Sequence, residues 1–126
     1  MGKKETRPTD GELEILGVLW ARGPSTARQV YEVLAAKGTT FNTTLKLMQI
    51  MHEKGLVQRE DVRRPHVYRP SVPEAQMQRK LVRDFLERAF GGSAGKLVAA
   101  LTQTKISERE LADIRRLLDK TGEGKP

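Results

Sequence analysis

Stop signals constrain this chain more tightly than its composition does. Three segments with helical apolar periodicity close in turn at Gly23-Pro24, at Lys37-Gly38 and at Gly55. Two short stretches of strand-like residues follow, separated by a charged loop that ends at Pro65. Glycine adopts the left-handed backbone that ends a helix, and proline cannot continue one. The order predicted is therefore three short helices and then a β-hairpin.

Local chemistry supports each element. Thr9-Asp10-Gly11-Glu12 fits a capping box, opening a helix that runs to about residue 21. Its apolar set, Leu13, Leu16, Val18, Leu19 and Trp20 with Ile15 on the flank, is wide enough to pack on more than one side. Ser25 is the expected N-cap of a second helix, 26–36, in which Ala27, Val30, Tyr31 and Leu34 recur at i, i+3, i+4 and i+7. A third helix is expected over 42–54. Strands are expected over 56–59 and 66–69, joined by the turn-like loop 60–65 with Arg63 and Arg64. Three helices followed by a hairpin with a basic tip make a winged helix-turn-helix, mainly α with a small β-hairpin, assigned to residues 1–72.

From Pro73 onward the pattern is helical only. Met77, Leu81, Phe85, Leu86, Ala89 and Phe90 mark one long helix, broken by Gly91-Gly92. A short helix over 94–102 carries Leu97, Val98 and Leu101. Ser107 to Glu110 forms another capping box, opening a last helix with Leu111, Ile114, Leu117 and Leu118, and 121–126 reads as a polar tail. Each of these helices has one apolar stripe, and a unit of about 50 residues seldom holds enough core to stand alone. With no cysteine to staple it, residues 73–126 are expected to form a three-helix dimerisation region. Its contacts would come from Leu81, Phe85, Leu86, Phe90, Leu97, Leu101, Leu111, Ile114 and Leu118. Folding back on the N-terminal domain in a monomer is the alternative.

Composition narrows the function. The 126 residues carry 23 Lys plus Arg against 16 Asp plus Glu, a net +7 with a pI of about 10.0, which suits a polyanionic partner. The charge is diffuse: 12 basic and 8 acidic side chains lie in residues 1–70, and the remaining 11 and 8 in 71–126. The lack of cysteine excludes a thiolate metal site and a cysteine nucleophile. No apolar run approaches the roughly 20 residues that span a bilayer, and MGKKETRPTD lacks the apolar core of a signal peptide. A soluble, cytoplasmic protein without membrane insertion is expected.

Catalytic and cofactor motifs fail on inspection. The loop 91–96 ends in Gly95-Lys96, but a phosphate loop needs Gly where Phe90 stands and Ser or Thr where Leu97 stands. A nucleotide-binding switch is thus the weak alternative to a helix-breaking hinge. His52 and His66 lack a second ligand at i+3 or i+4, and Ser25, Ser71, Ser93 and Ser107 sit in cap or loop contexts. No enzyme activity, metal or cofactor is expected.

The third helix divides by face. At about 100° per residue, Thr44, Leu47, Met48 and Met51 gather on one side, and Asn42, Lys46, Gln49 and Glu53 lie opposite with Thr43 and Leu45 on the flanks. Asn or Gln can pair bidentately with adenine, Lys can reach guanine, and Thr or Leu can meet a thymine methyl in a major groove. Asn42, Thr43, Lys46, Gln49 and Leu45 are therefore the candidate base-reading residues, against a merely solvated face. In the hairpin, Arg63 and Arg64, with Arg59, are candidate contacts to the DNA backbone. His66 either joins them or pairs within the hairpin.

These motifs, in this order, resemble the BlaI/MecI/CopY (penicillinase repressor) family. The residues that carry the resemblance are Pro8 to Leu16 with Val18-Leu19-Trp20, Asn42-Thr43-Thr44 leading to Glu53-Lys54-Gly55-Leu56-Val57, Val67-Tyr68, and Phe90-Gly91-Gly92-Ser93. The resemblance implies a dimeric transcriptional repressor with its third helix in the major groove of a dyad-symmetric operator. Beta-lactam-responsive members are cut at an Asn-Phe bond by a membrane sensor protease, and the matching bond here is Ala99-Ala100. Copper-responsive members carry a cysteine cluster that this chain lacks. A winged-helix module that binds protein rather than DNA is the remaining alternative.

Overall fold

The computed structural model describes residues 7–123, with side chains to Lys120; positions 124–126 of the expected polar tail lie outside them. Helix α1, Asp10–Arg22, begins with the Thr9/Glu12 box. The Glu12 N–H donates to the Thr9 hydroxyl at 3.3 Å and the Thr9 N–H to the Glu12 carboxylate at 3.0 Å. Strand β1 is only Ser25–Thr26, and helix α2 covers Ala27–Leu34 before a 3₁₀ turn, Ala35–Lys37. Helix α3 is Phe41–Lys54, strands β2 and β3 are Val57–Glu60 and Val67–Pro70, and helices α4, α5 and α6 are Glu74–Phe90, Ala94–Leu101 and Glu108–Glu123. The winged-helix order read from the sequence is the fold observed.

Ser25 does not cap α2. It is buried and its hydroxyl donates to the Gly23 carbonyl at 2.8 Å, while its backbone joins β3. Thr26 is the cap, in a reciprocal box with Gln29, so the helix starts one residue later than expected. The sheet order is β1-β3-β2, antiparallel throughout, with Ser25 opposite Tyr68 and Arg59 also opposite Tyr68. Strand β3 is therefore central, and the hairpin expected from sequence is two-thirds of a three-stranded sheet.

Gly55 closes α3 at φ 84°, where a Cβ would be strained. Beyond it the Leu56 N–H turns back to the Met51 carbonyl at 2.9 Å, the closing bond of a Schellman turn. That bond takes the Leu56 N–H back to the helix, while its carbonyl accepts the Ser71 N–H across the hairpin at 2.9 Å, and β2 is Val57–Glu60 rather than 56–59. Behind the sheet, Ile15, Leu16 and Leu19 of α1 meet Val30 and Leu34 of α2, Met48 and Met51 of α3, and Tyr68. The Trp20 indole N–H donates to the Val72 carbonyl at 3.1 Å, pinning α1 to the segment that enters α4.

The chain divides into two compact units after Leu81, inside α4. In the first unit Met77 is buried in the winged-helix core, and Leu81 is half-buried against it. The second unit is thinly covered. None of its described side chains is buried, and Val82, Phe85, Leu117 and Leu118 are more than half exposed. Phe85 and Phe90 meet edge to face at 5.5 Å. Gly91 and Gly92 end α4 with positive φ, and the Ser93 hydroxyl accepts the Lys96 N–H at 3.1 Å to open α5.

Candidate nucleic-acid interface

The two faces of α3 are set by what each side chain can bury. Met48 and Met51 are fully enclosed, and Thr44 joins them because its hydroxyl donates to the Thr40 carbonyl at 3.1 Å. That bond satisfies a hydroxyl that would otherwise cost about 1–3 kcal/mol in an apolar setting. The Thr40 side chain caps the helix by accepting the Thr43 N–H at 3.1 Å, and its own O–H donates to the Thr43 oxygen at 3.0 Å. At the other end the Lys54 ammonium reaches the Glu12 carboxylate at 2.7 Å, tying the end of α3 to the start of α1.

Facing away from this anchorage, Asn42, Thr43, Lys46 and Gln49 are all exposed, as is Glu53. Leu45, expected beside them, is half-buried and packed against the core. With Gln49 it borders a groove of about 250 Å³ between α3 and the hairpin, whose other walls include Phe41, Pro65, His66 and Tyr68.

Charges in the hairpin are unequally available. The Arg59 guanidinium is 2.6 Å from the Asp61 carboxylate, and the His66 Nδ1 lies 3.8 Å from the same group. The hydrogen bond to Asp61 holds Arg59 above its ordinary range, with Tyr68 adding to the effect, and the same bond holds Asp61 below the usual carboxylate range. Arg59 is thus paired within the hairpin and partly exposed. Arg63 and Arg64 are exposed, and among the described residues neither has a carboxylate within ion-pair distance.

One cation escaped the sequence reading. Arg28, exposed on α2, has its guanidinium carbon 4.2 Å from the Phe41 ring centroid and 5.7 Å from that of Tyr31, and these two rings meet edge to face at 6.0 Å. The signal was weak. Arg28 and Tyr31 share a helix face at i, i+3, but Phe41 comes to them only through the packing of α2 against α3.

A sequence profile described as penicillinase repressor matches residues 8–120. The chain belongs to the penicillinase repressor family. Individual family relatives are distant. The penicillinase repressor of Bacillus licheniformis is 24% identical over 119 residues, covering 93% of this chain and 93% of that protein. The methicillin resistance regulatory protein MecI of Staphylococcus aureus strain N315 is 21% identical over 122 residues, covering 95% and 99%. An uncharacterized 16.5 kDa protein of Latilactobacillus sakei is 26% identical over 120 residues, covering 94% and 82%. These similarities agree with the family resemblance carried by the motifs. Among the described residues, no helix is long and apolar enough to cross a membrane, and no three His, Asp or Glu side chains could together hold a metal ion.

Proposed function

We propose that this protein is a cytoplasmic transcriptional repressor that binds a dyad-symmetric promoter operator as a homodimer, with α3 in the major groove. The observation that carries the reading is the division of α3: one face is locked into the core, and the other offers Asn42, Thr43, Lys46 and Gln49 beside an arginine-bearing wing. Amides and an ammonium can discriminate base edges, whereas Arg63 and Arg64 at the wing would meet phosphates irrespective of sequence. The names of the relatives, penicillinase repressor and MecI, support the same role.

In this reading the helical region supplies the dimer. Its exposed apolar side chains, Phe85 and Leu118 among them, are the kind that a second copy would cover. The dimerising surface is drawn from Leu81, which is half-buried, and from Phe85, Leu86, Phe90, Leu97, Leu101, Leu111, Ile114 and Leu118. Two reading helices in successive major grooves require half-sites about 10 bp apart, or a multiple of that. The bond that matches the cut of the beta-lactam-responsive members, Ala99-Ala100, falls within α5.

The test is a binding comparison between DNA from upstream of the protein's own coding region and a random duplex of equal length. Lys46→Ala is expected to weaken binding to the upstream DNA by about 1–3 kcal/mol more than to the random duplex. Arg63→Ala or Arg64→Ala should weaken both and flatten the salt dependence. Equal losses on both DNAs for Lys46→Ala would refute the base-reading role, and no DNA binding by the wild type would favour the protein-interaction reading.

A further inference from the structure

Arg28 stands one helix behind the polar face of α3, yet it lines the same groove as Gln49, Pro65 and His66. Its position over Phe41 does two things. The ring face attracts the cation through its quadrupole, and the contact restrains a long side chain that would otherwise lose rotamer freedom on binding. An aromatic ring offers no carboxylate or carbonyl acceptor, so the donor fork of the guanidinium stays available to an anion. Among the described residues no carboxylate lies within ion-pair distance of Arg28, and no residue lining the groove is acidic. The nearby Asp61 carboxylate is already held by Arg59.

A reading helix in the major groove and a wing beside it leave the bordering DNA strand a path between them. On the α2 side of that path a side chain meets backbone, whereas Asn42, Thr43 and Lys46 on the outer face of α3 meet bases and Gln49 stands at the border between the two. We propose that the groove between α3 and the wing seats a phosphodiester of the bound duplex, and that Arg28, held on Phe41, is its cationic clamp. The proposal rests on the DNA-binding reading above and adds to it a contact on α2.

Because a phosphate contact is independent of sequence, it can be measured without knowing the operator. Full-length wild type, Arg28→Ala, Arg28→Lys and Phe41→Leu are titrated against a random-sequence duplex and against the upstream DNA over a range of salt. Trp20 fluorescence and thermal unfolding check that each variant is folded. Arg28→Ala is expected to lose roughly tenfold in affinity on both DNAs. Its slope of log K against log salt should shrink by about 0.9. Arg28→Lys should restore the slope but only part of the affinity, and Phe41→Leu should keep the slope with a smaller loss. Wild-type affinity and slope in Arg28→Ala would overturn the clamp alone. A loss confined to the upstream DNA would make Arg28 a base reader and overturn it equally. A wild type without salt-dependent binding to either duplex would bring down the DNA-binding reading and the clamp with it.

Discussion

Removing Lys54 should destabilise the winged-helix unit more than neutralising Glu12, although both changes break the same 2.7 Å ion pair. The asymmetry follows from exposure: the Glu12 side chain is 3% exposed and that of Lys54 is 24%. In Glu12→Gln the amide oxygen can still accept the Thr9 N–H, and Lys54, which also lies 3.5 Å from the Arg7 carbonyl, can turn toward water. The cost is then a lost charge-assisted bond, about 1 kcal/mol. Lys54→Met instead strands a buried carboxylate with the Thr9 N–H at 3.0 Å as its remaining partner among these contacts. Stripping one member of a buried pair costs about 3–5 kcal/mol, and the retained cap bond places this case near 3. Urea unfolding followed by the single tryptophan, Trp20, reads the right unit, since its indole is bonded to Val72. With a slope of about 1–2 kcal/mol per molar urea, the two midpoints should separate by roughly 1–2 M at unchanged slope. A Glu12→Gln variant as unstable as Lys54→Met, or more so, would refute the argument from burial.

Met48→Ala should cost about 2–5 kcal/mol by the same assay, because Met48 is wholly enclosed on the inner face of α3. A loss below about 1 kcal/mol would mean that α3 is not anchored as described. The Asp61 carboxyl, held low by Arg59, should titrate below the ordinary carboxylate value when followed by its side-chain ¹³C shift, and Arg59→Ala should move the midpoint up. Since the folded value is the depressed one, whatever the contact contributes is present above the ordinary value and is lost only as pH falls through the lowered one. Phe85→Glu and Leu118→Glu, at positions 55% and 54% exposed, should convert a dimer to monomers in sedimentation equilibrium without altering Trp20 fluorescence. A wild type that stays monomeric at all concentrations would refute the dimer.

Much of the architecture was legible because helix signals are local. The Thr9/Glu12 box and the glycine at the end of α3 act between residues three to five apart, so their spacing is written in the chain. The buried side of α3 was legible for the same reason: Thr44, Met48 and Met51 recur at the helical period and are buried as that period requires. What was less legible is how far each of these side chains is exposed. A helical wheel gives direction but not the shape of the neighbour, so it does not show that Leu45, on the flank of the polar face, is half-buried against the core. The sequence likewise does not show that the hairpin sets Asp61 against Arg59, whereas among the described residues Arg63 has no carboxylate within ion-pair distance.

The sequence alone determined the helix order, the hairpin, the polar face of α3 and the family, all of which rest on short-range periodicity and on motif order. The tertiary structure decided which of those groups are available. Pairing with β3 made Ser25–Thr26 a strand, through partners some 40 residues away. Helix packing put Arg28 over Phe41, and the closure of α1 on α3 joined Glu12 to Lys54 across 42 residues. Contacts at such separations leave no repeat in the sequence, because each is chosen by the shape of the assembled core rather than by its neighbours along the chain.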